Sequence, residues 1–492
     1  VAEVSDSPDG ASALPVRRIR KRRCTAMSEE NSSVQMDKET FDSEVRNQMR
    51  LRQLHTIIEK QDSKGLSELY DSMEPIDFAL LLENLDDEEL SQLTPIMDDD
   101  ELAGTMEEAE DKERIRIAHA LDNHRLLTAF EYMQKDDIVD MLSDFPIGRR
   151  KDVINLMKAD DRKIITNLLR YPEESAGGIM TTAYIALRGD YTAEYGLEKI
   201  RAIGPKTEDI ETIYVIDNTG SLVGYVDLRQ ILASPKSTRL SDLMDDRVIS
   251  VLPETDQEDV ARLVSKYDLN SIPVVSPNKH ILGVVTVDDV LDVIVDEYNE
   301  DILEMAGVSK EESLDTSLGE SVRLRLPWLM VNLATAFLAS FTVKLFESTI
   351  EQVVALSAIM TIISGMGGNA GTQTLSILVR QLAQKDLTFR ECWKPFCKEL
   401  LLGLIDGAST GLVTGVIVSL MYGNAWLGVI AFIAMIGNML VSSVFGFLVP
   451  LILEKCHADP AVSSSIFVTT ATDVLGFFIF LGLAKLFLPL LM

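Results

Sequence analysis

The chain has 492 residues, with 46 Lys and Arg against 77 Asp and Glu, and a net charge of −31. So acidic a body repels nucleic acid and anionic headgroups and attracts cations, divalent ones most, so no nucleic-acid partner is expected. The four cysteines (Cys24, Cys392, Cys397, Cys456) give no disulfide framework, and no zinc-ligand spacing, nucleophile–base pair, P-loop or metal-hydrolase motif appears, which argues against an enzyme.

Residues 1–37 read as a disordered extension, poor in apolar residues. Its basic run RRIRKRR (17–23) has no apolar segment after it and is not a signal peptide, and Met27 is a candidate start. Residues 38–176 read as successive short helices, with apolar positions at helical spacing, as in Phe78, Leu81, Leu82 and Leu85. Similar units recur at EPIDFALLLENLDDEEL (74–90) and KDDIVDMLSDFPIGRRKDVINLM (135–157), each coupling an Asp-rich turn to an apolar helix. Such repeated helical hairpins predict an all-α superhelical stack.

After Tyr171-Pro172 the pattern changes to a β-α-β-β-α order, present twice at a spacing of roughly 60 residues. The first copy (177–236) carries GIMTTAYIALR, TAEYGLEKIRAI, TIYVID, NTGS and LVGYVDLRQIL; the second (237–297) carries LMDDRVISVLP, DQEDVARLVSKYDL, SIPVVS, PNKH and ILGVVTVDDVLDVI. This α/β pair resembles tandem cystathionine-β-synthase (CBS) domains. The resemblance implies a cleft for an adenine nucleotide such as ATP, whose ribose contacts follow a G-x-x-T-x-x-D pattern. Gly283, Thr286 and Asp289 match it, whereas Gly224 is followed by Asp227 and Gln230, so one site per pair is expected, or else a module that only dimerises. A connecting helix spans 298–320.

From Ser321 to Met492 the net charge is +1, leaving −32 on the residues before, and the chain becomes apolar in five blocks, near 327–346, 352–378, 397–421, 425–452 and 462–490. Roughly 20 apolar residues suffice to cross a bilayer. The predicted architecture is therefore multidomain, ending in an α-helical transmembrane domain of five spans at 321–492. Arg323, Arg325, Arg380, Lys385, Arg390, Lys394, Lys398 and Lys455 cluster toward one side, and the opposite side has Glu347, Glu351 and YGNAW. By the positive-inside rule the acidic body and N-terminus stay cytoplasmic and the C-terminus lies outside, in a multi-pass plasma-membrane protein.

An ionisable residue at membrane depth is costly and is a functional hypothesis by default. Asp473 lies in TTATDVLG (469–476), and Asn369 lies in GMGGNAGTQ (365–373), whose glycines either let the backbone line a wet cavity or serve close helix packing. Positions 465, 469, 472 and 473 share a helical face, so Ser465, Thr469 and Thr472 put oxygens beside the Asp473 carboxylate. One carboxylate among hydroxyls suits Mg²⁺, which keeps much of its water, better than a transition metal. Asp406 either lines the pore or pairs with a neighbouring helix, and pairing is the preferred reading.

Taken with DPAV (459–462) and TTATDVLGFFIF (469–480), the domain order resembles the MgtE-type magnesium channel family over residues 38–492. The resemblance implies a homodimer with its pore between protomers, Asp473 holding hydrated Mg²⁺ and Asn369 as the pore asparagine. It also implies cytosolic Mg²⁺ sensing through Asp256, Glu258, Asp268, Asp289, Asp292, Glu297, Glu300 and Asp301. Facing carboxylates repel, and a bridging Mg²⁺ favours the compact state. Two family prolines are replaced here by Thr361 and Ile466, which bears on pore geometry and ion preference. The competing functions are a cation-coupled secondary transporter of Mg, Mn or Co, and a non-transporting CBS-based sensor.

Overall fold

The computed structural model describes residues 45–204, 207, 209–314, 316–384, 392–456, 459–460 and 464–491. The extension at 1–37 and the loop carrying Lys385 and Arg390 lie outside the described residues. The chain divides into two compact units, Val1–Val260 with Asp268–Val287, and Ala261–Tyr267 with Asp288–Met492.

The first unit opens with α1 (45–60), α2 (Ser63–Tyr70), α3 (Pro75–Leu82), α4 (Asp87–Leu93), α5 (Asp99–Glu107), α6 (Asp111–Ala120), α7 (Asn123–Ala129), α8 (Lys135–Asp144), α9 (Ile147–Leu156) and α10 (Ala159–Leu168). Acidic residues start several of these helices. Asp86 accepts from the Glu89 amide at 2.8 Å while Glu89 accepts from the Asp86 amide at 3.2 Å, a reciprocal cap that satisfies donors the helix itself cannot. The Asp-rich turns are thus helix starts. From α3 onward helices pack on the helix two further along: α3 on α5, α4 on α6, α5 on α7, α6 on α8, α7 on α9 and α8 on α10. That stepping packs the helices of this region on one another, and it buries Phe78, Leu82, Leu90, Leu102, Ile117 and Leu126.

The two repeats follow. In the first, β1 (Ala186–Arg188) runs parallel to β2 (Thr212–Ile216), which pairs antiparallel with β3 (Leu222–Asp227); α11 (Ala193–Ile203), α12 (Leu228–Ala233) and α13 (Leu240–Leu243) complete it. The second has α14 (Gln257–Tyr267) and an antiparallel pair, β4 (Ser271–Val275) with β5 (Ile281–Thr286). Both hairpins carry a register shift at the same place, Val215/Ile216 and Val274/Val275, the mark of a duplicated unit. The strand expected at the start of the second copy is reduced to a single parallel bridge between Val251 and Val274.

The repeats are also exchanged at their leading segments. Thr181, ahead of the first copy, pairs with Val284 of β5, and Asp245, ahead of the second, pairs with Tyr225 of β3. The matched glycines sit at these crossings. A Cβ on Gly224 would lie 2.8 Å from Met244 Sδ, and one on Gly283 would lie 2.6 Å from the Thr181 carbonyl oxygen. Both glycines are therefore required for close approach of backbone, independently of any nucleotide.

The second unit begins with α15 (Val287–Met305), continuous with β5 in the chain, and ends it at Gly307, whose φ of +73° is left-handed. The Gly307 and Val308 amides close that end on the Glu304 and Leu303 carbonyls. Then come α16 (Leu318–Lys344), α17 (Glu347–Gln352), α18 (Ala355–Gln384), α19 (Trp393–Tyr422), α20 (Ala425–Lys455), α21 (Ser464–Leu486) and α22 (Leu488–Leu491). Among the described residues, four helices are long and apolar enough to cross a membrane, at Leu318–Lys344, Trp393–Tyr422, Ala425–Lys455 and Ser465–Leu486. The fifth expected span, α18, is long enough but has its apolar content diluted by glycines, hydroxyls and Asn369.

Helices α19 and α20 pack along a glycine stripe, Gly403, Gly407, Gly411 and Gly415, one per turn. A Cβ on Gly407 would come within 2.8 Å of the Ile436 Cα, and one on Gly415 within 2.8 Å of the Gly428 carbonyl. Without a hydrophobic driving force in lipid, close approach of this kind is what holds helices together.

Candidate functional site

Helices α18 and α21 cross antiparallel, with three glycine- or hydroxyl-mediated meetings one turn apart. Ser364 Oγ donates to the Asp473 carboxylate. One turn on, Gly368 faces Thr469, and next Gly371 faces Val468, where a Cβ would lie 2.4 Å from Val468 Cγ1. The Gly-rich segment is thus regular helix, and its glycines set how near Asp473 comes to α18. Thr361 and Ile466 also lie inside uninterrupted helix, Thr361 returning its hydroxyl to the Ala358 carbonyl at 2.7 Å. Neither helix is kinked by proline at these places.

Asn369 lies on the exposed face of α18, in a stripe with Thr361, Gly365 and Gln373. A Cβ on Gly365 would meet nothing within 4 Å. Asp473 is half-buried at the edge of that face. The remaining hydroxyls of α21 do not all share it. Thr472 is fully buried, and Thr469 and Thr472 return their hydroxyls to carbonyls of their own helix. Ser465 Oγ donates to the Met305 carbonyl at 2.8 Å, so it ties the end of α15 to the start of α21. The expectation of one stripe of oxygens is corrected to Asp473 with Ser364 from α18, because regular helix geometry turns Thr472 inward. Asp406 is exposed on α19, and among the described residues its carboxylate carries no hydrogen bond or ion pair, so the preferred pairing is not found within the protomer.

A second group of carboxylates lies where α15 meets the segment before α21. Glu300, Asp301 and Glu304 are pushed up to about 7, 6 and 7, first by burial and then by neighbouring charge, with Asp459 acting on all three. Glu297 adds to the field on Glu300 and Glu304. Among the described residues, Glu304 Oε2 is buried without a hydrogen-bond partner. Like charges held this close repel, and a proton or a cation relieves that repulsion. Lys310 bonds Glu300 at 3.1 Å and offsets part of the repulsion.

The first unit holds a third group. Asp137 is pushed up to about 8 and Asp140 to about 7, chiefly by burial, with Asp136 and Glu107 adding charge around Asp137 and Arg114 opposing. Asp140 keeps an exposed edge, so the larger shift at Asp137 is the more telling of the two. Asp136 is raised by burial against a hydrogen bond from Thr181, which joins the helical stack to the first repeat.

Of the other sequence-derived sensor residues, Asp256 accepts from the Glu258 amide at 2.9 Å at the start of α14. Asp268 is exposed with φ +52°, Asp289 lies in the first turn of α15, and Asp292 is exposed on that helix. Thr286 ends β5 with its side chain buried. Among the described residues no three His, Cys, Asp or Glu side chains already converge tightly enough to hold a metal. Sequence reasoning missed Ser364, Glu304, Asp459 and the Asp136–Asp140 group. KDDIVD (135–140) and the Asp of DPAV are the available signals, and in sequence the first is simply an Asp-rich turn before an apolar helix.

Known proteins match along the chain in the same order. Residues 73–174 match the family model of the MgtE intracellular N domain, 240–296 a CBS domain, and 360–483 the MgtE divalent cation transporter. The chain is 32% identical over 360 residues to the magnesium transporter MgtE of Bacillus subtilis, covering 73% of this chain and 80% of that one. It is 36% identical over 324 residues to that of Enterococcus faecalis, covering 66% and 71%. The solved cytosolic domain of the Mg²⁺ channel MgtE in complex with ATP superposes with a TM-score of 0.47 at 32% identity, over 49% of this chain and 99% of that one. A helical stack, a CBS pair and a membrane-crossing helical unit, matched at this identity and coverage, mean that the chain belongs to the MgtE family of magnesium transporters.

Proposed function

We propose that this chain carries Mg²⁺ across the plasma membrane through a pore lined by α18 and α21, with Asp473 as the residue that holds the hydrated ion. The observation that carries this reading is the Ser364–Asp473 pair beside an uncovered polar stripe on α18. A polar stripe and a carboxylate at membrane depth cannot face lipid cheaply, the carboxylate alone costing about 2.5–3.5 kcal/mol at a helix centre. Water and a second copy of the chain are the partners that remove this cost, and the homodimer with its pore between protomers follows. In this reading α16 and α18–α21 are five spans, with the N-terminus in the cytoplasm and the C-terminus outside. Asn369 contributes from the same stripe.

Cytosolic Mg²⁺ is the proposed signal that closes the pore. Glu300, Asp301, Glu304 and Asp459 would hold the ion at the cytoplasmic end of α21, and the Met305–Ser465 hydrogen bond would pass the change to the pore helix. The Asp136–Asp140 group would respond to the same ion in the first unit. Among the residues expected from sequence, Glu297, Glu300 and Asp301 belong to the first of these groups. Asp256, Glu258, Asp268, Asp289 and Asp292 remain proposed sensor residues on the strength of their position. Thr286 and Asp289 are proposed to receive an adenine nucleotide. Uptake of Mg²⁺ into liposomes under a set membrane potential tests the transport reading. Flux should follow the Mg²⁺ electrochemical gradient without a coupled ion, and dependence on a Na⁺ or H⁺ gradient would favour the secondary transporter instead.

A further inference from the structure

Asn438 sits in the middle of α20 with no exposed surface. Its Nδ2 donates to the Ile363 carbonyl of α18 at 2.7 Å. The amide fills a slot made by two glycines on different helices. A Cβ on Gly367 of α18 would lie 2.1 Å from Nδ2, and one on Gly476 of α21 would lie 2.4 Å from Oδ1. One turn along α20, Ser442 Oγ donates to the Gly367 carbonyl at 2.7 Å. Thus α20 grips two α18 carbonyls four residues apart. Ser364, next to Ile363, is the residue whose hydroxyl meets Asp473, and Asp473 is one turn from Gly476. Among the described residues, Asn438 Oδ1 is buried without a hydrogen-bond partner. A buried amide left half-satisfied is poor packing for its own sake, which argues that its place is set by the helices it registers.

We propose that Asn438 is a positioning residue for ion passage: its amide, wedged between Gly367 and Gly476, fixes the register of α18 against α21 and so holds Ser364 against Asp473. This rests on the reading of Asp473 as the ion-holding residue. The donor on Nδ2 is the part that matters, because of the two ends of the amide it is the one bonded to the α18 backbone. Removing it leaves the shape of the slot but takes away one of the two side-chain bonds by which α20 holds α18, the one next to Ser364.

Asn438→Asp tests this in the full-length protein in liposomes. The side chain keeps its shape, but the ionised carboxylate faces the Ile363 carbonyl without a donor, whereas the protonated acid donates again. The helices packed around it carry Asp473 on α21 and Asp406 on α19, which wild type shares, so the readout is the ratio of variant to wild-type Mg²⁺ flux. That ratio should be reduced about tenfold at pH 8, as expected for loss of one buried hydrogen bond, and recover severalfold at pH 5.5. A ratio that does not change with pH, or a ratio near one throughout, overturns the proposal. If Asn438→Asp does not assemble, Gly476→Ala carries the test from the other side. It should lower flux, and shortening the amide in Gly476→Ala with Asn438→Ser should restore part of it. Wild-type flux from Gly476→Ala alone, or no recovery in the pair, overturns the proposal. Wild-type protein that passes no Mg²⁺ at all would instead overturn the transport reading.

Discussion

Ser364 donates its hydroxyl to the Asp473 carboxylate across the α18–α21 crossing. A carboxylate bonded to one neutral hydroxyl keeps most of its lone pairs for water, which a hydrated Mg²⁺ needs. The hydroxyl also fixes where that charge points. Ser364→Ala is therefore expected to leave the ion pathway intact but to lower Mg²⁺ flux, by roughly tenfold if the lost charge-assisted bond has its usual strength of about 1.5–3 kcal/mol and only part bears on conduction. Flux measured in liposomes with the same amount of assembled protein checks it, and Ser364→Thr should keep most of the wild-type rate.

The glycine stripe of α19 makes a stability prediction. Gly407→Val would force a Cβ to within 2.8 Å of the Ile436 Cα, which belongs to backbone and cannot swing away. Overpacking of this kind costs about 1–3 kcal/mol, and more where backbone must move. The midpoint of thermal unfolding in detergent should fall, with a matched drop in folded yield. Gly365→Ala on the open face of α18, where a Cβ meets nothing, should leave the midpoint unchanged or slightly raised.

Acid groups in the first unit set the sign of a pH effect. The Asp137 carboxyl is pushed up to about 8 and Asp140 to about 7, both above the ordinary value near 4 of an unfolded chain. The folded state therefore binds protons more tightly, so the stability these groups support is present below about pH 4 and is lost as pH climbs toward 8. Hydrogen exchange of α8, corrected for the intrinsic pH dependence, should show weaker protection at pH 8 than at pH 6. Millimolar Mg²⁺ should restore it at pH 8, and Na⁺ at equal ionic strength should restore it less, because screening does not bridge carboxylates.

The carboxylates near α21 make the sensor testable. In Glu304→Gln with Asp459→Asn, repulsion is relieved and two of the four carboxylates proposed to hold the ion are lost. Mg²⁺ flux should persist at cytosolic-side Mg²⁺ concentrations that close the wild-type protein. Closure at the wild-type concentration in this variant would place the sensor elsewhere.

Much of the architecture was legible because its signals are local. Periodicity in 38–176, the doubled β-α-β-β-α order and the long apolar blocks each report one element or one repeat at a time. What was hidden depends on helices meeting. Gly367 and Gly476 are unremarkable apart, and only packing puts Asn438 between them. In sequence the Asp136–Asp140 carboxylates are an Asp-rich turn, and only burial among neighbouring acids in the fold raises them. The hydroxyls of α21 misled in the opposite sense. Ser465 and Thr472 have the right spacing, but one is spent on Met305 and the other turns inward.

The most direct measurement is Mg²⁺ uptake into liposomes by wild type and by Asp473→Ala, purified to the same assembly state. Asp473 is the one carboxylate on α21, so no neighbour on that helix can replace it. Wild type should take up Mg²⁺ down its gradient, and Asp473→Ala should fall to the level of protein-free liposomes while eluting unchanged from a sizing column. Uptake by Asp473→Ala at the wild-type rate would contradict the assignment of Asp473 as the residue that holds the ion.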